Sequence, residues 1–487
     1  MAEHVDRVTL TGGEPSASSA DARRASTESV LDRPYRSLTL GVILSVGTVA
    51  FESLGVATVL PGIAEKLDGL GAYGWGLSAL MLANIVGTVI AGRSADRDGP
   101  WRPMAVGLLV FAVGCVLAGA AGSWPLFLAG RFVQGLGVGA VMATAYAMIG
   151  LAYPEHLRAR MFALLSSAWT IPSLVGPLIA GVLADHASWR AVFVLMLPLV
   201  VAAGGMTLPG LRRLRAPRAD RAVAGVGAAS RWWRSPLASA VLLTVGTGLL
   251  LQALLLSNVA VLAVLAVIGL AIAVPALRWT TPEGTMTARV GIGAGVVVRA
   301  LLCAVYFGSE AFLPLGLRQL RGVSAAEAGL GLSAGALAWV AGSALQAKLD
   351  GRRPGLRTRS VALGFAVLLA GVAVVALSIL TEAVPVYLAV LGWAIGGLGM
   401  GVAFNASTTD TLEQTPAVRQ GEVSAALQLA QTLATAVLAG LGGAAIAIAG
   451  HYGGGTRTAL LSTFALTGLL ALAGVVLSRR LRPAAAR

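Results

Sequence analysis

The chain has 487 residues, 56% of them hydrophobic and 12% charged, and a formal net charge of +14. That apolar content is too high for a soluble protein of this size and marks a membrane protein built of helices. The positive charge does not indicate nucleic acid, because the basic residues sit in short connections between apolar runs and no basic surface is interleaved with aromatics to read bases.

Residues 1–37 are polar, rich in Ala, Ser and Arg, and lack an apolar core. They read as a disordered cytoplasmic tail, not a cleaved leader, so the first membrane segment is retained. Fourteen apolar runs of bilayer-spanning length follow: 38–61, 73–92, 103–121, 125–150, 161–184, 190–209, 236–256, 258–276, 296–316, 325–347, 360–380, 384–408, 421–449 and 457–478. The first six make one bundle, 38–209. A basic linker, 210–235, carries seven arginines between Arg212 and Arg234. Runs seven and eight, 236–276, are parted only by Ser257 and Asn258 and are read as two inserted helices, with a single re-entrant pair as the alternative. A cytoplasmic connection, 277–295, leads to the second six-helix bundle, 296–478, and a short tail, 479–487.

Gln134-Gly-Leu-Gly-Val-Gly139 recurs as Gly396-Gly-Leu-Gly-Met-Gly401, and Pro154 recurs at the same offset as Pro416. The charged stretch near Asp96 recurs as Lys348-Leu-Asp350-Gly-Arg-Arg353. Two parallel six-helix halves follow, with the inserted pair keeping their orientation equal and the transport path between them. With the amino terminus inside, 29 Lys and Arg fall on inner connections and tails and 5 on outer ones, which places both termini in the cytoplasm.

Several chemistries are excluded. Cys115 and Cys303 lie inside apolar runs, so neither a disulfide nor a thiol metal site is expected. His4, His156, His186 and His451 are scattered, and no His-Glu-x2-His pair exists. Lys66 and Lys348 belong to no phosphate loop, so ATP hydrolysis is not the energy source unless another subunit supplies it. No metal, no cofactor and no enzymatic activity are expected.

Charges inside the runs need a reason, since each costs roughly 2.5–3.5 kcal/mol at mid-span. Glu52 lies about 13 Å below the outer surface, and Arg131 and Glu310 about 9 Å below it, at ~1.5 Å per residue. Three charges at one level suggest one polar cavity. If Glu52 faces it, its proton affinity depends on how closely Arg131 approaches, which is what a proton coupler needs; a static pair that only fixes packing is the other reading. Glu310 faces the cavity or snorkels toward the outer interface, and Arg299 is expected at the inner interface. Gln134, Asn84, Asn405, Gln428 and Gln431 either line the path or bridge helices. Gly135, Gly137, Gly139, Gly176 and Gly181 let backbones approach closely. Pro177 removes a helical donor and is expected to kink run five, as a pivot or a mere bend.

Four motifs carry a resemblance. Gly92-Arg-Ser-Ala-Asp96-Arg97-Asp-Gly99-Pro-Trp-Arg102 resembles the loop between helices two and three of major facilitator transporters. Arg131-x2-Gln134-Gly135 matches their fourth-helix motif. Glu52-Ser-Leu-Gly-Val-Ala-Thr-Val-Leu-Pro61 resembles the first-helix motif of the fourteen-helix drug:proton antiporters, with Glu for the usual Asp. Pro172-x3-Gly176-Pro177-x2-Ala180-Gly181 resembles the antiporter motif, with Pro172 and Ala180 in place of two glycines. The resemblance implies an all-α major facilitator fold and a latch at Gly92, Asp96, Arg97, Gly99 and Arg102, with Asp350 its degenerate counterpart; a solvated turn that only sets topology is the other reading. It also implies proton-driven export of lipophilic or cationic molecules, or of a lipid or other amphiphile, by a monomer. Proton and substrate are the partners, with membrane lipid around them; a non-transporting receptor fits the motifs less well. The Ala, Gly and Arg richness points to a bacterial plasma membrane.

Overall fold

The computed structural model describes residues 29–212, 235–256, 258–352, 354–416 and 419–481. Among them there are helices and turns and no strand. In chain order the helices are α1 (Arg36–Lys66), α2 (Trp75–Asp98), α3 (Trp101–Gly119), α4 (Trp124–Ala152), α5 in two pieces (Glu155–Ser167 and Thr170–His186) and α6 (Trp189–Leu211). Next come α7 (Pro236–Ala253), α8 (Val259–Thr280), α9 in two pieces (Ile292–Glu310 and Leu313–Arg321) and α10 (Ala325–Arg352). The chain closes with α11 (Arg357–Leu380), α12 (Leu388–Glu413), α13 (Gln420–His451) and α14 (Gly455–Leu477). Thirteen of these segments are long and apolar enough to cross a membrane; α5 is the exception, being interrupted and more polar in its first piece.

Local sequence explains the ends. Proline stands at the first turn of α4 and α7, where its missing N–H is not needed. Ser188, Ser235 and Asn258 cap α6, α7 and α8 by accepting hydrogen bonds from backbone amides of the first turn. Helices α2, α3, α4 and α6 open on tryptophan, the residue suited to the membrane–water boundary.

Two expectations are corrected. The charged stretch Gly92–Asp98 is not a loop: it forms the last turns of α2, and the turn to α3 is only Gly99-Pro100, with Gly99 at φ +86°, a conformation that favours glycine. Run five, read as one span over 161–184, is interrupted at Ala168–Trp169, and Pro177 lies inside its second piece. The inserted segment is two full helices of 18 and 22 residues packed on each other, not a re-entrant pair.

The halves repeat contact by contact. In the first, α4 packs on α2 and α3, α1 on α5 and α6, and α3 on α6; in the second, α12 packs on α10 and α11, α9 on α13 and α14, and α11 on α14. The glycines match in detail. Gly135 lies against the Leu80 carbonyl and Gly139 against that of Asn84, as Gly397 lies against Gly335 and Gly401 against Trp339. At each of these places a Cβ would collide with backbone, so the helix pairs require glycine.

The halves meet along two seams, α5 on α10 and α2 on α13. The contacts gather toward the end opposite the chain termini, here called the distal end. There the Tyr73 hydroxyl donates to the Ala311 carbonyl (3.1 Å), Arg318 pairs with Glu65 (3.0 Å), and the Ala326 amide donates to Asp185 (3.0 Å). Nearer the middle, the Ser78 hydroxyl donates to the Ala436 carbonyl (2.8 Å). Helix α7 packs against α2 and α13, over the second seam, while α8 touches mainly α7 and is largely exposed.

Candidate functional site

Glu52 of α1 and Arg131 of α4 form an ion pair with side chains 0% and 1% exposed. Arg131 also donates through Nε to the Gly76 carbonyl (2.9 Å) and through Nη1 to Gln134 Oε1 (3.0 Å), and the Gln134 amide donates to Cys115 Sγ (3.2 Å). Small residues make this possible: Gly114 lies on Gln134, and Gly130 on Ala118, so α3 and α4 close around the network. One oxygen is left over. Glu52 Oε2 is buried and has no hydrogen-bond partner among the described residues. A carboxylate with one bonded and one free oxygen is a site where a proton can be taken up and released.

The other residues singled out in the sequence are distributed more widely. Glu310 is buried, 8% exposed, at the joint between the two pieces of α9, and among the described residues it has no ion-pair or hydrogen-bond partner. Its position does not bring it into the Glu52–Arg131 network. Asn84 is part-buried and accepts from the Thr88 hydroxyl (3.1 Å). Asn405 and Gln431 are part-buried and Gln428 is exposed. Pro172 and Gly176 face Gly47 and Phe51 of α1, while Gly181 and the Pro177 carbonyl face Ala325 and Gly329 of α10. The glycine–proline motif therefore lies between α1 and the opposite half.

At the end carrying the chain termini, Arg102 reaches Asp98 across 3.8 Å in an exposed pair, and Arg97 is exposed. The Asp96 side chain lies outside the described residues. In the second half, Arg357 holds Asp350 by a two-point contact and also pairs with Glu413, so one buried guanidinium ties α10, α11 and α12. Arg357 and Glu413 were not singled out in the sequence; an arginine seven residues after Asp350 was the available signal. Arg318 with Glu65 was missed too, although Arg318 stands out as a basic residue on an outer connection.

Arg299 is buried between helices, 4% exposed, with its guanidinium 3.5 Å from the centroid of the Phe404 ring. Nearby, Tyr306 stacks on Trp393 (4.6 Å) and meets Trp339 edge-on (5.2 Å). Aligning Gly135 with Gly397 puts Trp393 in the place of Arg131, and aligning Leu60-Pro61 with Leu313-Pro314 puts Tyr306 one residue past the counterpart of Glu52. One half holds an ion pair where the other holds an aromatic stack.

Two repeated six-helix halves with an inserted pair, the first half enclosing a buried ion pair, define a membrane transporter of the major facilitator type. The sequence matches the Major Facilitator Superfamily over residues 40–439, and the chain belongs to that family. It is 29% identical over 178 residues to Multidrug resistance protein 3 of Bacillus subtilis, covering 37% of this chain and 33% of that protein. It is 27% identical over 308 residues to the MFS-type transporter phomT of Diaporthe leptostromiformis, covering 60% and 51%. The chain thus spans a third to a half of these relatives' lengths. Among solved structures it is similar to a D-xylose–proton symporter (TM-score 0.64, 14% identity, 92% of this chain and 98% of that one). It is also similar to the POT family transporter PepTSo (TM-score 0.66, 14% identity, 91% and 97%). These are likenesses of fold.

Proposed function

We propose that the chain is a proton-coupled exporter of lipophilic or cationic small molecules, of the fourteen-helix drug:proton antiporter kind, working by alternating access in a bacterial plasma membrane. The observation that carries this reading is the buried Glu52–Arg131 pair with Glu52 Oε2 unpartnered among the described residues. When a proton takes that oxygen, the charge attraction that holds α1 to α4 is lost; when it leaves, the pair re-forms. Relatives named as a multidrug resistance protein and an efflux pump support the direction and class of transport. With both termini in the cytoplasm, the distal contacts close the outer side, which makes this an inward-open arrangement. Glu310, buried at the α9 joint and unpaired among the described residues, is a second candidate to carry a proton. Asn84, Asn405, Gln428 and Gln431 are proposed to line the path, Gln134, wholly buried, to hold Arg131 in place behind it, and Asp96 with Arg97 and Arg102 to fasten the inner ends when the transporter faces outward.

The test uses purified protein in liposomes with an imposed proton gradient and a panel of fluorescent lipophilic compounds. Wild type should drive uphill movement of at least one compound, and Glu52→Gln should abolish it while downhill exchange persists. Uphill transport at the wild-type rate by the Gln variant would refute the role of Glu52.

A further inference from the structure

A deeply buried guanidinium stays charged at physiological pH and normally meets a carboxylate. Arg131 meets Glu52, and Arg357 meets Asp350 and Glu413. Arg299 meets none among the described residues. It donates to the Thr408 hydroxyl of α12, rests on Phe404, and leaves its buried Nε–H without an acceptor. A hydroxyl and a ring face compensate a buried cation only in part.

The fold does not require arginine there. Aligning Leu60-Pro61 with Leu313-Pro314 places Val46, itself fully buried, opposite Arg299, and aligning Gly135 with Gly397 places Met142 opposite Phe404. The first half carries two apolar side chains at the corresponding positions, one buried and one part-buried. Beside Arg299 runs a wall of rings: Phe404 lies 5.3 Å from Trp339, and Trp339 lies 5.9 Å from Phe307. All three are partly exposed, unlike Tyr306 and Trp393 behind them.

We propose that Arg299 is the anion-binding residue of a substrate site in the second half, walled by Phe404, Trp339 and Phe307, and that the site takes planar aromatic acids. The ligand carboxylate accepts from the free Nε–H and supplies the missing counter-charge, while the ring lies along the wall. An aromatic cation would fill the same wall but leave two positive charges together. This assignment rests on the reading of the chain as a transporter of lipophilic molecules and, at this site, selects acids over the cations that reading also admits.

The experiment is calorimetric titration of the purified full chain in nanodiscs of zwitterionic lipid with 2-naphthoate, 2-naphthylmethanol and 2-naphthylmethylammonium. The acid should bind about tenfold or more tighter than the alcohol, a difference of roughly 1.4 kcal/mol or more. Arg299→Gln should erase that preference, Arg299→Lys should keep part of it, and Trp339→Ala should weaken acid and alcohol alike. In wild type, naphthoate should protect Arg299 from phenylglyoxal, read by peptide mass spectrometry, which needs no variant to fold. Equal binding of acid and alcohol, or acid binding unchanged in Arg299→Gln, overturns the proposal. Protection by phosphatidylglycerol in the nanodisc and not by naphthoate assigns the residue to a lipid headgroup and overturns it equally. Acid binding without proton-driven export would sink the exporter reading alone; export of cations without acid binding would sink this one alone.

Discussion

At the scale of single residues, the Glu52–Arg131 pair is held where neither partner can reach water. Removing one partner leaves the other's charge uncompensated, at a cost of about 3–5 kcal/mol, whereas removing both leaves a neutral contact. Arg131→Met is therefore expected to lower the thermal midpoint of the detergent-solubilised protein clearly, and Glu52→Gln/Arg131→Met to recover most of the loss. Equal midpoints for the single and double variants would show that the pair is not charged in this state. The glycines obey a different rule. Gly397 touches Gly335 and Gly401 touches Trp339 through backbone, so neither position has slack that a rotamer change could supply.

At the scale of helices, the turn between α2 and α3 is short and steep. The last turns of α2 carry Gly92, Asp96 and Arg97, and Gly99 reverses the chain at φ +86°. Asp96→Asn is expected to slow transport and raise the share of inward-open molecules while substrate affinity stays within about twofold, as a charge at a helix end contributes only about 0.3–1 kcal/mol. Distances between spin labels on the terminal-end turns of α2 and α13 check this, and identical distributions in the two proteins would count against a latch. The helices were legible in the sequence because lipid demands long apolar runs, and the repeat was legible because glycine is needed wherever backbones touch. Breaks and partners were not. The interruption of α5 falls at Ala168–Trp169, where neither residue is a helix breaker, and the ends of α10, α11 and α12 are tied by Arg357, whose partners Asp350 and Glu413 come together only after three helices pack. Arg131 and Glu52 were legible for the opposite reason: charges are rare inside such runs, so two at one depth are readily paired. Arg299 stands near the start of its run, and its burial against α12 emerges only when the helices pack.

At the scale of the whole molecule, the two halves are joined mainly by apolar seams and a few polar contacts at the distal end. Glu65→Lys places like charges at the Arg318 contact and should loosen that closure, so spin labels near the distal ends of α1 and α9 should show longer, broader distances. Glu65→Arg/Arg318→Glu restores opposite charges and should return the distribution toward wild type. No change in either variant would mean that the closure rests on the seams alone.

Helix α7 behaves in this arrangement as a bearing. On one side it is pinned: the Thr244 hydroxyl donates to the Leu82 carbonyl of α2 (3.0 Å). On the other it is greased, with Leu251 lying over Gly440 of α13 through apolar contact. If the halves rock, α7 must travel with the first and slip along the second, which keeps lipid tails out of a seam that changes width. A disulfide between cysteines at Thr244 and Leu82 should leave turnover nearly intact, whereas one between Leu251 and Gly440 should stall it until reduced. A transporter insensitive to both bonds would have its moving surface elsewhere.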